Sequence, residues 1–104
     1  MPKAYHKFKA KQTEIDNIKF ASRKEAKYYM ELKLRQRAGE VLFFLRQVPF
    51  HLTGDIKYVC DFQVFLTDGT VEFVDVKGME TDMFKLKKKQ VEALYPIEIK
   101  IVWC

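Results

Sequence analysis

The sequence predicts a single α/β domain, a mixed four-stranded sheet flanked by helices in the order αβββαβ. Three observations predict it. Two stretches carry apolar residues at helical spacing between recognisable caps. Four others are β-rich or alternate apolar with polar residues. The second helix falls between two of those strands, which calls for a parallel, right-handed crossover. The chain's 104 residues fit one domain, and its 48% hydrophobic and 14% aromatic content supplies one core.

Residues 1–17 are basic, polar and aperiodic and read as a flexible arm ahead of a domain spanning 18–104. Within the arm, Tyr5, His6 and Phe8 alternate with lysines, a pattern that suits contact with bases and phosphates as well as it suits a disordered tail. A helix is expected over 22–39. Ser22 with Glu25 three residues on is a capping-box pattern, Ala26, Tyr29, Met30 and Leu34 recur at helical spacing, and Gly39 is a natural stop. Residues 40–52 then read as a strand that Pro49 interrupts or ends, and Thr53-Gly54-Asp55 as a turn. The runs 56–66 and 70–77 flank Thr67-Asp68-Gly69 and form a hairpin. A second helix is expected over 81–95, capped by Thr81 or Asp82, with Phe84, Val91 and Leu94 or Tyr95 inward and Pro96 beyond its end. Ile97, Ile99, Ile101 and Trp103 alternate along a last strand, expected to lie parallel to 70–77.

The net charge is +5 and unevenly spread. Seven Lys or Arg fall within residues 1–24 against Glu14 and Asp16, and Lys85, Lys87, Lys88 and Lys89 cluster at the start of the second helix. Such clustering suits a polyanion, nucleic acid first among them; the plainer alternative is a solvated surface. Cys60 and Cys104 form neither a metal spacing nor a disulfide framework, so a reducing cytoplasm is expected. No membrane span or signal sequence is visible.

One segment resists a purely structural explanation. "VEFVDVKG", residues 71–78, is strand-like, yet holds Asp75 and Lys77 two apart and therefore on one face. The preceding strand supplies Asp61. A two-residue loop, Asp68-Gly69, would set Asp61 opposite Val76 and on the other face from Asp75. A three-residue loop, Thr67-Asp68-Gly69, with Gly69 left-handed in a bulge, sets Asp61 directly opposite Asp75. The three-residue loop is the expectation, and it makes Asp61, Asp75 and Lys77 one cluster. Adjacent carboxylates repel unless a cation offsets them. A few hard oxygen ligands suit Mg²⁺, with Mn²⁺ as a substitute, and such an ion beside a lysine suits phosphodiester hydrolysis. The bland alternative is an Asp75–Lys77 salt bridge on a half-exposed sheet.

"CDFQVFLTDGTVEFVDVKG" resembles the bipartite motif of the PD-(D/E)XK nuclease superfamily, with Cys60 where that motif has proline and Asp75 where it more often has glutamate. Across 18–102 the ordered motifs are similar to those of small phage-encoded endonuclease-like proteins, some related to Holliday-junction resolvases. The resemblance implies a restriction-endonuclease-like core and a metal-dependent DNA endonuclease, with branched DNA such as a Holliday junction as a candidate substrate and Asp61, Asp75 and Lys77 catalytic. It implies Glu25 as a further catalytic and metal-binding residue beside Asp61 and Asp75, although the sequence alone also makes Glu25 a capping residue. It places Gln47 as an accessory group for water or phosphate; satisfying backbone near Pro49 is the alternative. Lys24, Lys85, Lys87, Lys88 and Lys89 are expected to hold the DNA backbone. A homodimer would follow from coordinated cuts at a branch point, phage origin would place the protein in the cytoplasm of a bacterial host, and exonuclease or nicking activity lies within the same chemistry. The reading from another class is a non-catalytic nucleic-acid-binding module. Glu72 falls on the opposite face from Asp75, and His6, His51 and Asp55 are read as surface or turn residues.

Overall fold

The computed structural model describes residues 13–103. Thr13–Ile15 (β1) and Ile18–Phe20 (β2) form a small antiparallel hairpin closed by Asp16 and Asn17, both left-handed at φ 53° and 65°. Residues 13–17, read above as part of the arm, are thus built into structure. Asp16 Oδ2 accepts a hydrogen bond from the Tyr29 hydroxyl at 2.7 Å, and Phe20 packs against the Tyr29 ring. The rest of the predicted arm, residues 1–12, lies outside the described residues.

Arg23–Arg37 (α1) starts at Ser22, whose hydroxyl accepts from the Glu25 N–H at 3.1 Å. It ends before Gly39, whose φ of +81° is the left-handed conformation a helix stop favours. Its buried side chains are Glu25, Ala26, Tyr28, Tyr29 and Leu32. Met30 and Leu34, expected inward, are 43% and 61% exposed. The stripe running through Tyr28, Tyr29 and Leu32 is the one that meets the sheet.

Val41–Leu52 (β3), Ile56–Leu66 (β4), Val71–Lys77 (β5) and Ile99–Trp103 (β6) form a mixed sheet in spatial order β3-β4-β5-β6. β3 runs straight through Pro49, which does not end it. As an edge strand it can spare the proline's missing N–H. β5 and β6 are parallel, joined through Asp82–Leu94 (α2), which is capped by the Thr81 hydroxyl accepting from the Phe84 N–H.

Two clusters of buried side chains lie against this sheet. One joins Phe20, Ala26, Tyr29 and Leu32 to Phe62, Val64 and Val74; the other joins Phe84 and Val91 of α2 to Leu52, Tyr58, Cys60 and Ile99. Of the second helix's expected inward residues, Phe84 and Val91 are buried and Tyr95 packs beside them, while Leu94 is exposed. Even-numbered side chains of β4 therefore serve the α1 cluster at Phe62 and Val64 but the α2 cluster at Tyr58 and Cys60. In β3 the same exchange falls between Phe44 and Val48. It occurs at Gln47 and Asp61, which are missing from the β3–β4 pairing, and Gln47 sits at φ +53°; the pairing also shifts register between Val41 and Phe43. A non-glycine residue held left-handed inside a strand is an uncommon distortion. Among the described residues no helix is long and apolar enough to cross a membrane.

Candidate active site

The β4–β5 hairpin has the three-residue loop. Gly69 N–H donates to Leu66 O at 3.1 Å, Leu66 N–H donates to Thr70 O at 2.9 Å, and Gly69 takes φ +92°. The register runs Phe65↔Val71 to Phe62↔Val74 and then stops. One residue further Asp61 faces Asp75, and here the two strands part. Each carboxylate reaches across the gap as a substitute for a backbone carbonyl. Asp61 N–H donates to Asp75 Oδ1 at 2.8 Å, and Val76 N–H donates to Asp61 Oδ2 at 2.9 Å. The face exchange at Asp61 explains the fork, because a strand that rotates about its axis there cannot keep both neighbours paired.

Asp75 is 1% exposed, and its Oδ2 is buried without a hydrogen-bond partner. Burial pushes its carboxyl above the ordinary carboxylate range, against the opposing pull of the Asp61 N–H and the Lys77 charge. Asp61 is likewise raised by burial and restrained by the Val76 N–H, Lys77 and Gln47. Lys77 places its ammonium 4.4 Å from the centre of the Phe84 ring, a cation–π contact that keeps the charge near both acids.

Glu25 joins this group. Its backbone N–H is capped by Ser22, but its side chain does not fold back on the cap: Oε2 accepts from Gln47 Nε2 at 3.0 Å and lies 3.5 Å from Arg46 Nη2. Burial raises its carboxyl, and the negative charge of Asp61 raises it further. Gln47, left-handed in its backbone, thus binds Glu25 of α1 directly, and its amide also draws the Asp61 carboxyl down. The expected cluster of Glu25, Gln47, Asp61, Asp75 and Lys77 is brought together from four elements.

Arg46 was not anticipated. Its guanidinium stacks 4.4 Å over the Phe20 ring, and its Nε is buried without a partner. The available signal was a lone arginine inside the apolar run "FFLRQV". The expected DNA-contacting lysines do not behave alike. Lys24, Lys85 and Lys89 are exposed, Lys87 is half-buried, and Lys88 is paired with Glu92 at 3.0 Å. Glu92 also accepts from the Ile99 N–H at 2.8 Å, so Lys88 is drawn into holding α2 to β6. Glu72 lies 3.6 Å from Lys100 on the neighbouring strand, apart from the acidic cluster. Burial raises the Cys60 thiol to about 11, which leaves it a packed and unreactive group beside Asp61.

Among the described residues no three His, Cys, Asp or Glu side chains already stand close enough to clasp a metal ion. The donor chemistry nevertheless fits a hard divalent cation. Three carboxylates are held partly or wholly out of water, burial raises each of them, and one buried oxygen of the cluster, Asp75 Oδ2, has nothing to accept. No curated protein and no solved structure matches the chain. A family model described as "Protein of unknown function (DUF1064)" matches residues 5–104, and the chain belongs to that family.

Proposed function

We propose that the protein is a metal-dependent DNA endonuclease of the PD-(D/E)XK type that hydrolyses phosphodiester bonds at the β4–β5 fork. The single observation that carries this reading is the crossed pair of hydrogen bonds at Asp61 and Asp75, which leaves Asp75 Oδ2 buried and without a partner. Burying a carboxylate with an unmet acceptor is costly, and folds retain such groups where chemistry uses them. Asp61, Asp75 and Glu25 would hold Mg²⁺, or Mn²⁺ in its place, and the ion when bound would polarise a phosphoryl oxygen.

The chain's own groups divide the remaining work. Lys77, fixed over Phe84, supplies positive charge for the negative charge that develops on the phosphate as water attacks. Gln47 holds Glu25 beside Asp61, and Arg46 offsets the charge of Glu25 from the far side. Exposed Lys24, Lys85 and Lys89 meet the DNA backbone, so binding weakens with salt. Two coordinated cuts at a branch point need two sites. Leu42, Phe43 and Leu45, exposed on edge strand β3 with Phe43 stacked on Phe65, form the surface on which a second copy would sit.

A second reading is a nucleic-acid-binding module in which the acids are structural. It is favoured by the backbone N–H groups that both aspartates already accept. Incubating the protein with labelled four-way junction, flap and linear duplex DNA, with Mg²⁺, Mn²⁺ or chelator, separates the two. Cleavage with either metal and none with chelator is expected. Tight binding without cleavage under every condition selects the second reading.

A further inference from the structure

The start of α1 and the end of β6 leave a groove of about 280 Å³ beside the fork, with Lys24 and Lys27 on one wall and Trp103 on the other. Val76 and Val102, paired across β5 and β6, line it as well. Trp103 is 56% exposed, unusual for the side chain with the most apolar surface to hide. Lys24 and Lys27 are three residues apart on a helix and so share a face. Both are exposed, and neither is in an ion pair among the described residues.

None of the cluster's acids lines the groove, and Val76 and Val102 turn to the α1 side of the sheet, opposite to Asp75 and Lys77. The groove meets the cluster through the backbone, where Lys24 precedes Glu25 and the Val76 N–H is held by Asp61. An indole face, two valines and two ammonium groups match the parts of one nucleotide, a flat apolar base joined to a phosphate. Glu31 lines the same groove one turn beyond Lys27 and turns a phosphate away from that end.

We infer that this groove takes a single unpaired nucleotide of the bound strand, its base stacked on Trp103 and its phosphate between Lys24 and Lys27. The inference deepens the proposed function and rests on it for the identity of the polymer. It makes the preferred substrate a DNA that carries unpaired nucleotides, such as a flap or an opened branch point. In a continuous duplex the base is stacked on its neighbours and is not free to enter.

Trp103 is the protein's one tryptophan, so its fluorescence reports this groove directly. The test uses the full chain in chelator, where no cleavage can occur, titrated with a short oligothymidylate, a flap and a blunt duplex. Saturable quenching is expected at lower concentrations of oligothymidylate and flap than of duplex. By anisotropy, Trp103→Ala should weaken flap binding about tenfold more than it weakens duplex binding, and Trp103→Phe should retain most of the affinity. Lys24→Ala with Lys27→Ala should flatten the salt dependence by about one phosphate or more. Flap binding with unchanged fluorescence, equal flap affinity in Trp103→Ala, or no DNA binding at all would overturn the inference. Quenching without cleavage when Mg²⁺ is restored would instead count against the nuclease reading and leave the groove standing.

Discussion

The two ends of the β4–β5 hairpin use the same side chain for opposite ends. At the turn, Asp68 Oδ1 accepts from the Thr70 N–H at 2.9 Å and from the Thr70 hydroxyl at 2.6 Å, fully in water. Those bonds hold its carboxyl below the ordinary range. At the fork, Asp75 Oδ1 accepts one backbone N–H while Oδ2 accepts nothing, and burial holds that carboxyl above the range. Both aspartates close a strand junction. Of these two, only Asp75 is left with an incomplete set of partners in a dry place, and under the proposed function that unmet oxygen is what a cation would satisfy; Glu72 Oε1 is also buried without a partner, but lies apart from the other acids.

The largest break in the symmetry between these ends should appear in cleavage. Asp75→Asn is expected to lower junction cleavage by more than about 10³-fold while DNA binding persists, whereas Asp68→Asn should leave the rate near wild type. Lys77→Ala should cost about 10²–10³-fold by removing charge from the developing phosphate negative charge, measured at saturating DNA. Gln47→Ala releases Glu25 and Asp61 together and should cost less, about tenfold, with partial recovery at higher metal concentration.

Stability sharpens the comparison further. The folded Asp75 holds its proton to higher pH than the unfolded chain does. Its contribution is therefore most favourable below the unfolded value of about 4 and is lost as pH rises through the raised folded value. Asp68, with a lowered folded value, contributes above that same unfolded value and loses its contribution as pH falls. In metal-free denaturant melts, Asp75→Asn should gain on wild type as pH rises above the unfolded value, because the penalty of charging a buried carboxyl is relieved. Asp68→Asn should show a small loss near neutral pH that fades as pH falls through the lowered folded value.

Much of this geometry was legible in the residues. Thr67-Asp68-Gly69 set the loop, the loop set the register, and the register brought Asp61 to Asp75, because a glycine that must be left-handed fixes how the hairpin closes. The αβββαβ order followed from caps and alternation in the same way. What stayed hidden depended on backbone that departs from residue preference. Gln47 is left-handed without being glycine, so neither the face exchange in β3 and β4 nor the turn of Gln47 toward Glu25 could be foreseen. The β1–β2 hairpin was missed for a related reason: its turn is Asp16-Asn17, and its strands are three residues each, too short for alternation to stand out. Periodicity also misassigned Met30 and Leu34, since two apolar stripes run along α1 and only the sheet chooses between them.

The central claim is that the fork gathers carboxylates whose missing partner is a divalent cation. Calorimetric titration of Mn²⁺ into the metal-free protein, in buffers of different ionisation heat, tests it most directly. Saturable binding accompanied by proton release is expected for wild type and for Asp68→Asn, and its loss for Asp75→Asn. Undiminished binding by Asp75→Asn, or no binding by wild type, would contradict it.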